Sequence, residues 1–521
     1  MVAAWKRVGP ALLLIALAAL ITAPLTRPVE SAGSATLVAG ADDRPNIVLV
    51  MTDDQNDYDL QWMPLTREAL QADGIEFTDA ISPHPLCCPA RAELVTGQYA
   101  QNNGVRHNAG PHGGFAALDS ADTIGAWFTR AGYQTGFVGK YLNGYQARHG
   151  AEPGWTRWDA LTTGVYDYRD FGFYNDGRGQ DLYRDAYVTD AIAERTNEMA
   201  RELSSDPEPF LLYSFHVAPH YRFDKQVATL PPAASPRVRG RFADARPPSL
   251  DKPSFGERRV ADQPRVLRNR RVPERTEVRA WFRARVASLQ AVDRAVSSLV
   301  RTLQQAGEWD NTYLFFTSDN GYALGEHRLM GKNVLVEEAM QVPLLVHGPG
   351  IAGGTTSQAP ATLVDLPATF ADLAGLRPGR VVDGASLVPY LTGRPGDFRD
   401  TTLVQTGRSD GDGWDYRGVR TSRYLYAVSG AFSGDGADGA DVVLYDGERD
   451  PWQLVNRAED PAYAEVRARL EERRAQLIGC AGWSCNRAFG ELPTPLEVTG
   501  DRLPRRSARA AKAPTVSEAQ S

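Results

Sequence analysis

Two polar pairs in the sequence offer the oxygen ligands of a divalent cation. The pairs are Asp53-Asp54 and Asp319-Asn320. Each pair follows an apolar run of strand length, residues 46–51 and 312–317, after one intervening residue. Ligands of open α/β sheets bind outside the carboxyl ends of the strands, so two such ends would bring the four side chains together. Three carboxylates and one amide suit Ca²⁺ or Mg²⁺ rather than zinc, although acidic residues after strands are also common as caps or turn residues.

The chain has four cysteines, and two of them are adjacent. Cys480 and Cys485 can pair in an exported protein and close a small loop. A disulfide between the neighbours Cys87 and Cys88 would be rare and strained, so these two need another explanation. They are either buried free cysteines near a turn or part of a reactive motif, because Cys87 opens a Cys-x-Pro-x-Arg pattern.

Strand and helix patterns alternate up to about residue 398. The strand candidates are residues 46–51, 134–138, 210–215, 312–317 and 342–346. The clearest helix is 277–304, where apolar residues recur in steps of three and four, and a shorter one lies around 64–72. This alternation predicts an α/β fold with a large, doubly wound, mostly parallel sheet flanked by helices. Residues 222–274 interrupt it with prolines and an excess of Lys and Arg, as a solvated surface loop or as a basic rim that attracts an anionic substrate.

The pattern changes from about residue 399. Short strand candidates at 402–405, 416–420, 424–428 and 442–445 are followed by a helix near 462–477. We predict a small C-terminal subdomain, residues 399–490, with an antiparallel sheet and one helix. The remaining residues, 491–521, have the composition of a disordered tail.

The N-terminal residues 1–41 have the pattern of an export signal and leader. Lys6 and Arg7 precede the apolar run 11–21, and small residues follow. An uncleaved membrane anchor is the alternative, since the uncharged stretch before Arg27 is borderline for spanning. We therefore expect a secreted or extracytoplasmic protein with no stable membrane span after cleavage. The formal net charge of −7 and the absence of a long basic stripe argue against general nucleic-acid binding.

The segment around Cys87 resembles the signature of the sulfatase family, in which the first cysteine becomes formylglycine. Pro89 and Arg91 match, and Ala90 stands where members often have serine. The resemblance runs from Arg44 to about Arg487 and implies an alkaline-phosphatase-like catalytic domain over residues 42–398. It is based on 44–54, 132–140, 317–322, 325–327, 331–332, 342–346 and 445–451. Within the family, the doubled cysteine, the Lys-Tyr-Leu-Asn run at 140–143 and the late cysteine pair look like the N-acetylglucosamine-6-sulfatases and the heparan 6-O-endosulfatases.

The resemblance also implies a site and a mechanism. The metal ligands would be Asp53, Asp54, Asp319, Asn320 and Cys87, with Ca²⁺ as the usual ion and Mg²⁺ possible. Hydrated formylglycine would attack sulfur, and the metal would lower the pKa of the diol and draw charge from sulfur. Arg91 and Lys140 would support the diol and the charges of the metal site, Lys332 would contact the sulfate or the leaving oxygen, and His220 would handle the leaving-group proton.

Several assignments stay open at this level. Many sulfatases have a histidine two residues after the signature lysine, where this chain has Leu142, so the base for the diol is open between His107 and Asn143. We expect His216 to be structural, and for His327 a structural role and a place near the site are equally compatible with the sequence.

The predicted function is removal of sulfate from a sulfated glycan, of the N-acetylglucosamine-6-sulfate kind, after maturation by a formylglycine-generating enzyme. One alternative is a phosphonate or phosphodiester hydrolase of the same superfamily. The other is a catalytically inactive, glycan-binding scaffold.

Overall fold

The computed structural model describes residues 44–496 except 176–178, 224–228, 395, 397, 412 and 430–440. The predicted leader, residues 1–41, and residues 497–521 of the predicted tail lie outside this part of the chain. Within the described residues, no helix combines the length and the apolar character that crossing a membrane requires.

Eighteen strands are formed within the described residues. In chain order they are β1 (Asn46–Thr52), β2 (Ile75–Phe77), β3 (Gln134–Gly139), β4 (Arg157–Thr163), β5 (Phe171–Asn175), β6 (Gly179–Tyr183), β7 (Phe210–Phe215), β8 (Arg222–Phe223), β9 (Thr229–Leu230), β10 (Thr312–Ser318), β11 (Ala323–Leu324), β12 (Met330–Gly331), β13 (Leu344–His347), β14 (Thr355–Ser357), β15 (Thr402–Gly407), β16 (Trp414–Arg420), β17 (Tyr424–Ser429) and β18 (Val442–Asp446).

The described residues also form eleven α-helices. They are α1 (Pro64–Leu70), α2 (Cys87–Thr96), α3 (Ala100–Asn103), α4 (Ile124–Arg130), α5 (Val188–Leu203), α6 (Arg265–Arg268), α7 (Arg275–Ala306), α8 (Glu337–Met340), α9 (Asp365–Leu373), α10 (Val388–Leu391) and α11 (Ala464–Leu477).

A ten-stranded sheet in the order β14-β2-β13-β10-β1-β7-β3-β4-β5-β6 forms the centre. The run β10-β1-β7-β3-β4 is parallel, and antiparallel pairings extend it on both sides. β1 shows why its sequence is apolar throughout. Ile47, Leu49 and Met51 face the core that contains α2, α4 and α9, whereas Val48 and Val50 face the core that contains α5 and α7. The predicted α/β architecture is therefore confirmed.

The C-terminal strands form a separate antiparallel sheet in the order β15-β16-β17-β18. One face packs on α11 through Val419 and Leu470, and the other packs through Leu425 on Met340. Cys480 and Cys485 form a disulfide in the described chain, as the spacing allowed, while Cys87 and Cys88 are free and buried.

The described part of the segment, residues 222–223 and 229–274, is largely irregular, as predicted, but it is not simply a solvated loop. Leu250 packs in a cluster with Phe282 of α7, and Ser249, Ser254 and Gln263 are fully buried. The segment is also tied to the loop between β11 and β12, where the His327 backbone NH donates to Ser254 O at 2.8 Å. It therefore helps to hold the loop that precedes Lys332.

Candidate active site

Cys87 is the first residue of α2, a helix in which all ten residues are buried. Its sulfur lies 3.5 Å from Asp53 Oδ1 and 2.7 Å from Lys332 Nζ. Burial raises the pKa of the Cys87 thiol to about 12. An unmodified Cys87 is therefore protonated at neutral pH, and a protonated thiol is a weak nucleophile.

The two polar pairs lie side by side because their strands are adjacent and parallel, with Met51 in register with Thr317. The Asp54 backbone NH donates to Asp319 Oδ1 at 3.2 Å, and Asn320 Nδ2 donates to Asp54 Oδ1 at 2.7 Å. All four side chains are fully buried. Asp54 has a left-handed φ of 69°, a backbone strain that clusters at functional sites. The structure thus brings the four predicted oxygen ligands together.

The side chains gathered here could hold a metal ion. One ligand atom from each of Asp53, Asp54, Cys87 and His220 lies within 4.8 Å of the others. Among the described residues, Asp54 Oδ2 and Asn320 Oδ1 are buried without a hydrogen-bond partner. Buried polar atoms are normally satisfied, and these two are the oxygen types that Ca²⁺ and Mg²⁺ bind.

Three cations surround the carboxylates, of which Arg91 and Lys140 are buried and Lys332 is partly buried. Arg91 Nε donates to Asp319 Oδ2 at 2.9 Å, and Arg91 Nη2 lies 3.2 Å from Asp53 Oδ2. The Lys140 ammonium contacts Asp53, and the Lys332 ammonium contacts Asp54. Burial by itself would raise the pKa of Asp53, but the positive charges around it, that of Lys140 above all, hold this pKa well below its usual range. Asp53 is therefore ionised, and the site carries fixed charges of both signs.

Local backbone geometry positions Lys140 and Lys332 at the site. Lys140 follows β3, and a Cβ on the preceding Gly139 would lie 2.0 Å from Phe215 O, so only glycine allows the strands to approach this closely. Lys332 follows β12, and the NH of the next residue, Asn333, donates to Pro85 O at 2.9 Å. This bond ties the Lys332 loop to the segment that leads into Cys87.

His220 completes the group of predicted residues. Its Nδ1 lies 2.5 Å from Tyr221 O, and its Nε2 lies 3.8 Å from Asp54 Oδ2. Burial lowers the pKa of His220 to about 4 despite the nearby carboxylates. The carbonyl contact favours the tautomer with hydrogen on Nδ1, which leaves the Nε2 lone pair directed at the site.

The residues left open by the sequence lie in different places. Asn143 lies at the site, where its NH donates to Cys88 Sγ at 3.1 Å. His107 is half-buried and accepts from Ala109 NH at 3.4 Å. His216 is buried, and its NH donates to Met51 O at 2.8 Å between the strands, as a structural residue would. His327 pairs with Glu257 at 3.0 Å.

Two further residues at the site were missed by the sequence analysis. Arg285 of α7 donates to Asp54 O at 2.5 Å and pairs with Asp59 at 2.9 Å. A signal for it existed, because an arginine stands within the apolar face of that helix, next to Val286. Tyr166 stacks on His220 with ring centroids 4.4 Å apart. It lies between β4 and β5, where no periodicity marks one aromatic residue over another.

Comparisons with known proteins agree with this geometry. The family model described as Sulfatase matches residues 45–376, and that of the C-terminal region of N-sulphoglucosamine sulphohydrolase matches residues 325–479. The arylsulfatase of Volvox carteri is 30% identical over 87% of this chain and 77% of its own length. The human N-acetylglucosamine-6-sulfatase is 30% identical over 86% of this chain and 87% of its own length.

A solved structure shares the fold. BT4656, in complex with its substrate D-glucosamine-2-N,6-O-disulfate, superposes with a TM-score of 0.69 and 23% identity over 83% of this chain and 97% of its own. The family match covers more than half of the sequence, including all the residues gathered around Cys87. The chain therefore belongs to the sulfatase family and is a sulfuric ester hydrolase.

Proposed function

We propose that this sulfatase removes sulfate esters from a sulfated glycan that contains glucosamine, with formylglycine at position 87 as the nucleophile. The observation that carries the proposal is the cluster that surrounds Cys87: three buried carboxylates, the buried cations Arg91 and Lys140, and the partly buried Lys332. The glycan is supported by the names of two similar proteins, the human N-acetylglucosamine-6-sulfatase and the glucosamine disulfate complex of BT4656.

The modification of Cys87 follows from the chemistry that the site needs. A protonated, buried thiol is a poor nucleophile, whereas a hydrated aldehyde supplies a hydroxyl group for attack on sulfur and a second hydroxyl group for release of the product. A formylglycine-generating enzyme is the partner that this proposal requires during maturation.

Ca²⁺ is the metal that we propose, with Mg²⁺ as the alternative. Asp53, Asp54, Asp319 and Asn320 would hold it together with residue 87, and the two unpartnered oxygens on Asp54 and Asn320 are the evidence that a ligand belongs there. Bound there, the cation supplies Lewis-acid stabilisation of charge on the sulfate oxygens and on the nucleophile.

The remaining residues act through charge and proton position. Arg91 bridges Asp53 and Asp319 and so fixes both carboxylates relative to α2. Lys332, close to Asp54 and to residue 87, is placed to meet sulfate oxygens or the leaving oxygen. His220 presents the lone pair of Nε2 to the same space, and once it has accepted a proton there it is our candidate to pass that proton to the leaving alcohol. Preorganised cations of this kind stabilise developing negative charge where water is excluded.

We further propose that the protein is exported, as the leader pattern of residues 1–41 predicts. Sequencing the N-terminus of the protein secreted by its native host tests this. A mature N-terminus near residue 42 supports cleavage, and an intact N-terminus in the membrane fraction supports the anchor instead.

Mass spectrometry of the tryptic peptide that ends at Arg91, residues 68–91, tests the nucleophile. Position 87 should carry an aldehyde or its hydrate in protein made by the native host. Two intact thiols there would contradict the mechanism and favour the inactive, glycan-binding alternative.

A paired assay tests the substrate class. N-acetylglucosamine-6-sulfate and sulfated heparan disaccharides should release sulfate, while phosphate and phosphonate monoesters should react far more slowly. A preference for the phosphorus esters would favour the phosphonate hydrolase alternative over the sulfated glycan.

A further inference from the structure

Tyr166 lies in a tight turn between β4 and β5. Gly164 begins the turn with a φ of 60°, and a Cβ at that position would lie 2.0 Å from Asp170 O. The Asp167 NH closes the turn by donating to Gly164 O at 2.7 Å. The backbone around Tyr166 is therefore fixed by local geometry, which suits a side chain that must hold other groups in place.

Two tyrosine rings stack on the imidazole of His220. The centroid of the Tyr166 ring lies 4.4 Å from that of the imidazole at an interplanar angle of 27°, and the Tyr221 ring lies at 4.0 Å and 28°. Tyr168, two residues beyond Tyr166, donates its hydroxyl to His220 O at 2.6 Å. One short segment thus fixes both the backbone and the ring plane of His220.

The same tyrosine also contacts the lysine side of the site. The Lys140 ammonium lies 4.6 Å from the centroid of the Tyr166 ring, within the range of a cation–π interaction. The Tyr166 hydroxyl donates to Asn143 Oδ1 at 2.8 Å. Asn143 in turn donates its NH to Cys88, the neighbour of the nucleophile position. The ring and the hydroxyl therefore have separate partners, which separate variants can test.

We propose that Tyr166 is a positioning residue for sulfate ester hydrolysis, whose ring sets the plane of His220 and the place of the Lys140 ammonium. The inference rests on the proposed roles of His220 and Lys140. A small displacement of an acid–base group or a cation from its reacting position can lower a rate by about 100-fold, so the ring contributes through geometry rather than through its own chemistry.

Two substitutions separate the ring from the hydroxyl. Tyr166→Phe keeps both ring contacts and loses only the bond to Asn143, so kcat should stay within about threefold of the unsubstituted enzyme. Tyr166→Leu removes the ring, and kcat should fall by roughly 10- to 100-fold with KM changed by less than about threefold. Equal kcat losses in the two variants, or a loss confined to KM, would overturn the proposal.

A control variant and a double-mutant cycle test whether Tyr166 has only a structural role. Tyr183→Leu removes a stacked tyrosine of β6, whose ring centroid lies 5.0 Å from that of Phe171 in β5, and should leave kcat nearly unchanged. Thermal unfolding and bound calcium are measured for each variant to confirm a folded, metal-loaded protein. In a double-mutant cycle, Tyr166→Leu should lower kcat much less in a His220→Gln background than in the unsubstituted enzyme. Full additivity would show that Tyr166 does not act through His220.

The same experiment distinguishes the two levels of inference. If His220→Gln alone has normal kcat, the proposed role of His220 fails, whatever Tyr166 does. If His220→Gln is impaired and Tyr166→Leu is not, the proposed function stands and the positioning role fails. If His220→Gln is too slow for the cycle, the positioning role is tested by two comparisons. Tyr166→Phe should keep the kcat that Tyr166→Leu loses, and the loss in Tyr166→Leu should appear in kcat rather than in KM.

Discussion

Arg91 and Arg399 are both fully buried arginines paired with aspartate, but their surroundings differ. Arg399 pairs with Asp365 and also donates to Asn486 Oδ1 at 2.9 Å and Pro360 O at 2.8 Å. In the described structure, no side-chain polar atom of Arg399 or Asp365 is left unpartnered, whereas next to Arg91 two buried oxygens, on Asp54 and Asn320, have no partner. Buried charge therefore does not by itself mark a functional site; at Arg91 it coincides with unpartnered oxygens of the types that bind a cation.

The largest expected effect lies in the Arg91 cluster, by which we mean Arg91, its partners Asp53 and Asp319, and the adjacent Cys87. Cys87→Ala should lower turnover by on the order of 10⁴-fold or more, because the nucleophile is lost, while the protein stays folded. Sulfate release and thermal unfolding measure the two quantities. Cys88→Ala is the neighbouring control and should keep measurable turnover. Near-normal activity of Cys87→Ala would show that residue 87 is not the nucleophile and that the Arg91 cluster is not catalytic.

In the Arg399 cluster, formed by Arg399 and Asp365, a substitution should change the free energy of unfolding rather than turnover. Arg399→Met leaves Asp365 buried without its cation, which should lower the free energy of unfolding by about 3–5 kcal/mol. Denaturant unfolding measures this, and kcat should be unchanged under conditions where the protein is folded. Arg130→Met breaks an exposed pair with Asp122 and should change stability by less than about 1 kcal/mol. A loss of kcat in Arg399→Met without a loss of stability would contradict the distinction.

A third case is a buried carboxyl group with no partner and no place in the site. Glu93 of α2 is fully buried, and neither of its oxygens has a hydrogen-bond partner among the described residues. Burial, with a smaller contribution from Asp383, raises its pKa well above the ordinary 4.5. The unfolded chain therefore loses this proton as pH rises above about 4.5, while the folded protein keeps it, and folding becomes less favourable.

Glu93→Gln tests this consequence. The variant should match the parent in stability at acidic pH and exceed it increasingly as pH rises, by up to about 1.4 kcal/mol per pH unit until the raised pKa is reached. Denaturant unfolding between acidic and neutral pH measures the difference. A difference that is constant with pH would show that Glu93 does not titrate abnormally.

The smallest expected effect concerns the metal. Asp319→Asn keeps the shape of the side chain but removes one negative charge, so the calcium concentration for half-maximal activity should rise at least about tenfold. Calcium titration of chelator-treated enzyme measures this, with Asp365→Asn as the buried aspartate control. An unchanged calcium requirement in Asp319→Asn would contradict the assignment of Asp319 as a metal ligand. It would also weaken the functional distinction between the ion pairs of Arg91 and those of Arg399.

Residues marked by local pattern could be predicted from the sequence. The strand at residues 46–51 and the helix at 277–304 are continuous or periodic in hydrophobicity, and both agree with the structure to within two residues at each end. The polar pairs could be placed because the carboxyl ends of parallel strands share an edge. Tyr166 could not be found in this way, because its role depends on how one turn folds over His220. The packing of residues 222–274 was also hidden, because irregular segments carry no period.

The complete burial of α2 also limits when Cys87 can be modified. Cys87 has no exposed surface, and the residues that follow it in the helix are equally enclosed. A second protein can reach this cysteine only while the chain is still open. The proposed aldehyde must then be installed before folding is complete. On the proposed mechanism, molecules that fold before this modification lack the nucleophile, so the specific activity of a preparation would depend on the fraction of molecules that were modified in time.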